Sequence, residues 1–257
     1  MYSVDIDIGG TLTDGIISGD DHLLLVKVDT TPHDFTVCFF ECLSEGANQL
    51  GFARFRDFLD QVDLIRWSTT ITSNVLAERR GPKLGLIVTR GQEKKLYGMT
   101  DSPAIGHIIQ AQNIIGIEQP VDREGVLAAV RQLLENGVRR ICVSLKSALQ
   151  DPAGENRISD FIQEQYPDHF LGSVPVLMGN EMLKSRDDMS RTHCTLINAY
   201  THPSLATTLF RAEDRLRFDE EYSAPFLINH INGGVATIAK TRAIDTLESG
   251  PILGIYG

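Results

Sequence analysis

The residues best suited to chemistry stand at the start of the chain, in Val4-Asp5-Ile6-Asp7-Ile8-Gly9-Gly10-Thr11-Leu12-Thr13-Asp14. Val4, Ile6 and Ile8 alternate with Asp5 and Asp7, which predicts a strand with one apolar face. The strand runs into Gly9-Gly10, where the absence of β-carbons lets the backbone turn sharply and approach a ligand closely. Exposed N–H groups in such a turn suit anionic oxygens, and the hydroxyls of Thr11 and Thr13 add donors beside them. Asp7, at the strand's end, is placed to hold a hard cation directly or through water, as Mg²⁺ is held in phosphate sites. Neither G-x-x-x-x-G-K-[ST] nor G-x-G-x-x-G is present here, and the following residues do not begin a helix. Gly15-Ile16-Ile17-Ser18 reads instead as a second strand, Gly19-Asp20-Asp21 as a turn, and His22 to Asp29 as a third strand. A Gly-Gly hairpin at a sheet edge has the same local pattern, and that reading stands beside the first.

Two further stretches offer polar groups at strand ends. Leu64-Ile65-Arg66-Trp67-Ser68 predicts a strand delivering Thr69 and Thr70, and Thr72-Ser73-Asn74 opens a helix through Arg80, with Gly81 as its terminator and Pro82 beyond it. Thr69, Thr70 and Asn74 would then lie at the carboxyl end of a strand, where open α/β sheets bind ligands. Plain helix N-capping accounts for them equally well. Asn229-His230-Ile231-Asn232-Gly233-Gly234 is a strand end feeding an Asn-Gly-Gly turn, again suited to close backbone approach. In Thr246-Leu247-Glu248-Ser249-Gly250-Pro251-Ile252-Leu253-Gly254 the Pro occupies a helix-start position, so free N–H groups there could face an anion.

The elements that must position these residues alternate in type. A helix is expected from Phe35 to Leu50, introduced by Pro32 and ended by Gly51, and a short helical piece from Arg54 to Gln61. Lys83 to Thr89 reads as a buried strand. Asp122 can cap a helix from Arg123 to Asn136, with Val126, Val130, Leu133 and Leu134 as its inner stripe. Strand Arg140 to Leu145, helix Pro152 to Tyr166 and strand Val174 to Met178 follow. This rhythm predicts an α/β layered fold with parallel pairings. Tyr97 to Ile117 shows no clear period, and variable segments of that kind often face substrates.

Composition narrows the class. The chain has 257 residues, 42% hydrophobic and 23% charged, as is ordinary for a globular protein. A formal net charge of −10 argues against a nucleic-acid surface as the main partner. There is neither a membrane-length apolar run nor a basic-apolar leader before Asp5. The 4 cysteines, Cys38, Cys42, Cys142 and Cys194, form no C-x-x-C pair, which fits buried thiols in a reducing cytoplasm. Cys38 and Cys42 share a helix face, but Phe39, Phe40 and Leu43 around them favour core packing over metal binding.

A phosphate turn inside a β-meander resembles the actin, hexokinase and heat-shock-protein ATPase superfamily. The order D-I-G-G-T-L-T-D, then S-T-T-I-T-S-N-V-L-A-E-R-R-G, then G-L-I-V-T-R-G is similar to the hydantoinase A/5-oxoprolinase family. That family includes ATP-dependent hydantoinases, oxoprolinases and the ATP-using subunits of acetone and acetophenone carboxylases. Asp7, Gly9, Gly10, Thr11, Thr13 and Asp14 match its pattern, as do Thr69, Thr70, Asn74, Glu78, Arg79 and Gly81. So do Glu181, Arg191, Thr192, Asn198, Ala199 and Tyr200, of which Asn198 and Tyr200 read physically as core anchors. The chain departs from the pattern at Asp5, Ser68 and Gln92. Asp5 points to the same face as Asp7, so it either enters the site or is capped by a local base. Asp14, beyond the turn, is expected to cap local backbone.

The resemblance implies an actin-like (ribonuclease H-like) ATPase lobe, with a family N-terminal domain over 1–190 and the start of the next over 191–257. It implies ATP and Mg²⁺ as cofactors, with Asp7 on the metal. Asp7, Thr11, Thr69 and Thr70 would serve catalysis, while Gly9, Gly10, Thr11, Thr13, Asn74, Asn232, Gly233, Gly234, Ser249 and Gly250 would line the nucleotide. In the family a second phosphate loop follows S-G-P-x-x-G, and nothing like it follows here. Either the polypeptide is a cut or split subunit, or another chain is expected to complete the site; the apolar Ile252, Leu253, Ile255 and Tyr256 favour a partner chain. The implied activity is phosphorylation of a substrate oxygen in a ketone carboxylase of the acetone or acetophenone type. The alternatives are opening of a cyclic amide by a hydantoinase or oxoprolinase, and a non-catalytic assembly lobe of such a complex.

Overall fold

A computed structural model describes residues 1–19, 22–101 and 105–249. In chain order its main elements are β1 (Tyr2–Ile8), β2 (Leu12–Gly19), β3 (Leu23–Asp29), α1 (Phe35–Gln49), α2 (Phe55–Leu59), β4 (Val62–Thr69) and α3 (Ile71–Ala77). They continue as β5 (Leu84–Thr89), α4 (Ile105–Ile108), β6 (Ile114–Ile117), α5 (Arg123–Glu135), β7 (Arg140–Ser144), α6 (Ala153–Gln165), β8 (Val176–Met178) and α7 (Gly179–Met182). The last are α8 (Asp188–Asp214), β9 (Phe226–Asn229) and β10 (Val235–Ala236). Two packing units form, one from residues 1–77 with those from 204 onward, the other from residues 78–203. These units cut across a division at 190/191, because residues 191–203 of α8 pack with the second unit.

The first unit is built on a 6-stranded sheet in the order β10-β9-β4-β1-β2-β3. The meander β1-β2-β3 is antiparallel, whereas β1, β4 and β9 run parallel to one another. Their apolar/polar alternation decides which face is covered. Val4, Ile6 and Ile8 of β1 and Ile17 of β2 are buried, and α1 lies against the meander. Phe39 of α1 sits 4.6 Å from Trp67 of β4 and 5.7 Å from Phe226 of β9. Burying side chains of this size contributes roughly 1.5–3 kcal/mol each, so this aromatic trio is a large part of what fixes α1 on the sheet. The opposite face of β2 and β3 leaves Leu12, Ile16, Leu23 and Leu25 exposed.

Helix α1 starts at Asp34, whose carboxylate accepts hydrogen bonds from the Thr36 N–H at 3.0 Å and the Thr36 hydroxyl at 2.6 Å. Pro32, expected at the helix start, instead shapes the turn before this cap. Gly51 follows the helix at φ +82°, as a C′ residue should.

The second unit holds a 4-stranded sheet in the order β6-β5-β7-β8, parallel throughout. Its core joins Ile87, Val130, Leu133, Ile141, Val143, Ile158 and Ile162 from strands and flanking helices. Asp122 caps α5 as expected, accepting from the Gly125 N–H at 2.8 Å. Strand β6 falls inside the stretch that shows no period, because four residues are too short for alternation to register. Helix α3 ends at Ala77, four residues short of Gly81, and Arg79 takes the left-handed conformation at φ +57°. Gly81 has a packing role instead: a β-carbon there would lie 2.4 to 2.5 Å from three ring atoms of Tyr200. Tyr200 is buried with Ala199 and Asn198, the core anchoring expected of that block. Since a fixed aromatic ring cannot yield as a flexible chain can, Gly81→Ala should lower stability by about 1–3 kcal/mol, read as an earlier thermal unfolding transition.

Candidate functional site

Three adjacent parallel strands, β1, β4 and β9, end at the same edge of the first unit's sheet. The register places Asp7 beside Ser68 and Ile8 beside Thr69. The Gly9-Gly10 turn and the Ser68-Thr69-Thr70 segment are therefore neighbours by strand pairing alone. Asn229 ends β9, so the turn 230–234 opens from that edge too.

The Gly9 turn is held from beneath. The Gly9 N–H donates to the Leu12 carbonyl at 3.0 Å, closing it. Thr13, expected to offer its hydroxyl to a ligand, is fully buried and bonds Thr30 Oγ1 at 2.9 Å; Thr30 Oγ1 then donates to the Gly9 carbonyl at 3.1 Å. Thr30 N–H completes the brace by donating to the Thr11 carbonyl at 3.0 Å. Alternation along β2 turns Thr13 inward, so it supports the turn and does not line it. Gly10 and Thr11 are exposed at the tip. Thr30 was not singled out from sequence; its signal is a buried hydroxyl one residue past β3.

The carboxylates divide into two kinds. Asp5 and Arg66 form a bidentate pair at 2.5 and 2.6 Å, so a local base caps Asp5 and removes it from the site. Asp7 is exposed and stands directly opposite Asp14 in the β1–β2 register. Crowding at the sheet edge pushes the Asp7 carboxyl above its ordinary range; a hydrogen bond with Ser68 opposes this, and the like charge of Asp14 adds to it. Asp14 does not cap backbone, because it pairs across the strands with Lys27 at 2.6 Å.

Thr69 is buried and its Oγ1 accepts from the Ile71 N–H at 3.3 Å, so its hydroxyl is engaged by the start of α3. Thr70 Oγ1 donates to the Ile8 carbonyl at 3.2 Å and is reached by the Asn74 amide at 3.4 Å, so both sit against the end of β1. The segment before the last described residue returns to this edge. Ser249 Oγ lies 3.3 Å from Ser68 Oγ, Thr246 Oγ1 lies 3.3 Å from Thr72 Oγ1, and Ser73 donates to Glu248 at 2.9 Å. Gly250, Pro251 and Gly254 of the same motif lie outside the described residues, as do Ile252, Leu253, Ile255 and Tyr256. In the β9–β10 turn the Asn232 carboxamide oxygen accepts from the Gly234 N–H at 2.9 Å, and Gly233 adopts φ +78°. Asn232 is thus engaged in shaping its own turn.

Other chemistry is disfavoured. Burial pushes the Cys42 and Cys142 thiols up to about 12, far from the thiolate a nucleophile or metal needs. Among the described residues, no group of three or more His, Cys, Asp or Glu side chains is arranged to hold a metal by protein ligands alone. No helix among them is long and apolar enough to cross a membrane.

Comparison with known proteins agrees with this architecture. Residues 3–166 match the model of the hydantoinase/oxoprolinase N-terminal region. The chain is 32% identical to the acetophenone carboxylase gamma subunit of Aromatoleum aromaticum, over all of this chain and 38% of that protein. It is 29% identical to the caprolactamase subunit alpha of Pseudomonas jessenii, over 98% of this chain and 38% of that subunit. Among solved structures, an ATP-dependent caprolactamase from the same organism superposes with a TM-score of 0.83 at 28% identity, covering 98% of this chain and 39% of that one. A nucleotide-free acetone carboxylase superposes at 0.84 with 21% identity, covering 99% and 40%, and shares the fold. The mixed α/β architecture, sheets with flanking helices, is compatible with an actin-like ATPase lobe. The chain spans about 38% of the length of these curated relatives, and it belongs to the hydantoinase/oxoprolinase family.

Proposed function

We propose that this chain is the ATP-binding part of a multi-subunit enzyme that activates a substrate oxygen by phosphorylation, in a ketone carboxylase of the acetone or acetophenone type. The observation that carries the reading is the braced Gly9–Leu12 turn set beside an exposed Asp7 whose ionised form is held at a cost. Gly10 and Thr11, at the tip, would meet phosphate oxygens, while Thr70 and Asn74 flank the base of the turn. Asp7 supplies a hard oxygen donor, and partial desolvation at the sheet edge together with the nearby charge of Asp14 disfavours its ionised form. A cation would relieve both effects. Mg²⁺ suits this donor set, since it is usually held by one or two carboxylates plus the phosphates it accompanies. Bound there, it would neutralise phosphate charge, and phosphoryl transfer needs chiefly that and positioning. The exposed Leu12, Ile16, Leu23 and Leu25, on the same face as Asp7 and Asp14, favour cover by further polypeptide, whether more of this protein or a partner subunit.

The carboxylase reading leans on the acetophenone carboxylase relative. The caprolactamase likeness supports a second one, ATP-driven opening of a cyclic amide. Measuring ATP loss in the reconstituted complex decides between them. Bicarbonate with acetone or acetophenone should stimulate it, and stimulation only by hydantoin, 5-oxoproline or caprolactam would overturn the carboxylase assignment. A complex without ATPase activity on either set would leave the chain as an assembly lobe.

Asp7 gives a sharper test because its two expected effects have opposite sign. Asp7→Asn removes the charge and should cut ATP turnover by about 100-fold or more, whereas Asp14→Asn, which chiefly frees Lys27, should be far milder. The Asp7 pKa is raised in the folded state, so in the window above the ordinary carboxylate range the folded chain binds more protons than the unfolded one. This group's contribution to stability is then full at low pH and declines as pH rises through the folded pKa. Asp7→Asn should therefore melt above the parent at neutral pH, with the gap closing near about pH 3. Parental turnover in both variants would remove Asp7 from the site.

A further inference from the structure

The parallel sheet of the second unit has a topological switch point between β5 and β7. From β5 the chain leaves toward β6 on one side, and from β7 it leaves toward β8 on the other. In open α/β sheets a crevice forms outside the carboxyl ends of two such strands, and ligands bind there. Here those ends are Thr89 and Ser144, and the side chain of Tyr97 bridges them. Its hydroxyl donates to the Ser144 carbonyl at 2.7 Å and accepts from the Thr89 N–H at 3.3 Å, so a single oxygen joins the two strand ends.

The backbone that delivers Tyr97 is strained. Leu96, Tyr97 and Gly98 have φ of +42°, +56° and +102°, and two of these three carry side chains. Left-handed non-glycine residues cost of order 1–3 kcal/mol each and gather at ligand clamps and switch regions. Both Tyr97 and Thr89 remain partly accessible to solvent, so the plug can be reached from outside. Beneath it lies a buried polar layer. Ser144 Oγ bonds Thr192 Oγ1 at 2.7 Å, and Glu155 accepts from the N–H groups of Leu145 and Asn180, both at 2.8 Å. Arg191, fully buried, donates to the Leu145 carbonyl at 3.1 Å, to the Ser185 carbonyl at 2.8 Å and to Asp188, while its Nε has no partner among the described residues. The Asn180 carboxamide oxygen is likewise buried without one. Buried polar atoms without a partner are uncommon, and two of them belong to this layer, on α7 and α8.

We propose that the carboxyl ends of β5 and β7 form a second small-molecule site, in which the Tyr97 hydroxyl stands in for the ligand. What the two strand ends require is one N–H acceptor and one donor to a carbonyl at a single point. The chemical class that meets this is a small uncharged molecule with a hydroxyl on an sp² carbon, of which phenol is the simplest probe. The ligand enters as Tyr97 swings out and takes over its two hydrogen bonds. This site is independent of whether the Gly9 turn binds phosphate.

The test uses the full chain, labelled with ¹⁵N, with the Thr89 amide resonance followed during titration by phenol and by anisole, which has the same ring without the O–H. Phenol should move the Thr89 resonance in the parent. Tyr97→Phe, which gives up both latch hydrogen bonds, should bind phenol about ten-fold tighter. Anisole should leave Thr89 unmoved in both proteins. A Thr89 resonance indifferent to phenol in the parent and in Tyr97→Phe, or one that responds equally to anisole, overturns the proposal. If Tyr97→Phe does not fold by circular dichroism, the contrast between phenol and anisole in the parent decides the matter alone.

Discussion

The candidate phosphate site depends on the parallel pairing of β1 with β4. That register sets Asp7 beside Ser68 and the Gly9 turn beside Thr69 and Thr70. A slip of one residue would invert every side chain of β1, bringing Asp5 and Asp7 into the core and Ile6 and Ile8 out of it. The apolar set Val4, Ile6 and Ile8 under α1 makes such a slip prohibitive, so core packing and site geometry are one constraint. The Thr13–Thr30–Gly9 hydrogen-bond chain extends the same logic into the turn, tying its carbonyls to buried hydroxyls and leaving the tip outward.

Electrostatics then separates residues that look alike in sequence. Asp5, Asp7 and Asp14 occupy one sheet face, yet Arg66 neutralises Asp5 and Lys27 neutralises Asp14. Asp7 has only the Ser68 hydrogen bond to offset partial desolvation at the sheet edge and the charge of Asp14. A carboxylate held at a cost in the free protein is one that gains most from a cation, which is why this residue, of the three, is assigned to the metal in our reading.

Much of the fold was legible because alternation and caps are local signals. The β1-β2-β3 meander, α1, α5 and the parallel strands β5 and β7 follow from Val4-x-Ile6-x-Ile8, from Asp122 and from short buried runs. The segments that resisted reading depend on distant partners. Gly81 looks like a helix terminator until Tyr200, far along the chain, is placed over it. Thr13 and Thr69 carry the right hydroxyls for a ligand, but strand alternation buries the first and the start of α3 engages the second. Asp14 could not be matched with Lys27 without the β2–β3 register. Tyr97, in a stretch without period, takes its place from strand order, which no local pattern encodes.

The central claim is that the Gly9–Leu12 turn cradles phosphate, and amide resonances report on it most directly. With the chain labelled with ¹⁵N in its complex, saturation with a non-hydrolysable Mg·ATP analogue should shift the amides of Gly10 and Thr11 most strongly, with smaller changes at Ser68 and Thr70. The same titration without Mg²⁺ should be weaker. Saturable nucleotide binding that leaves Gly10 and Thr11 unmoved, with the largest shifts elsewhere, would contradict the account.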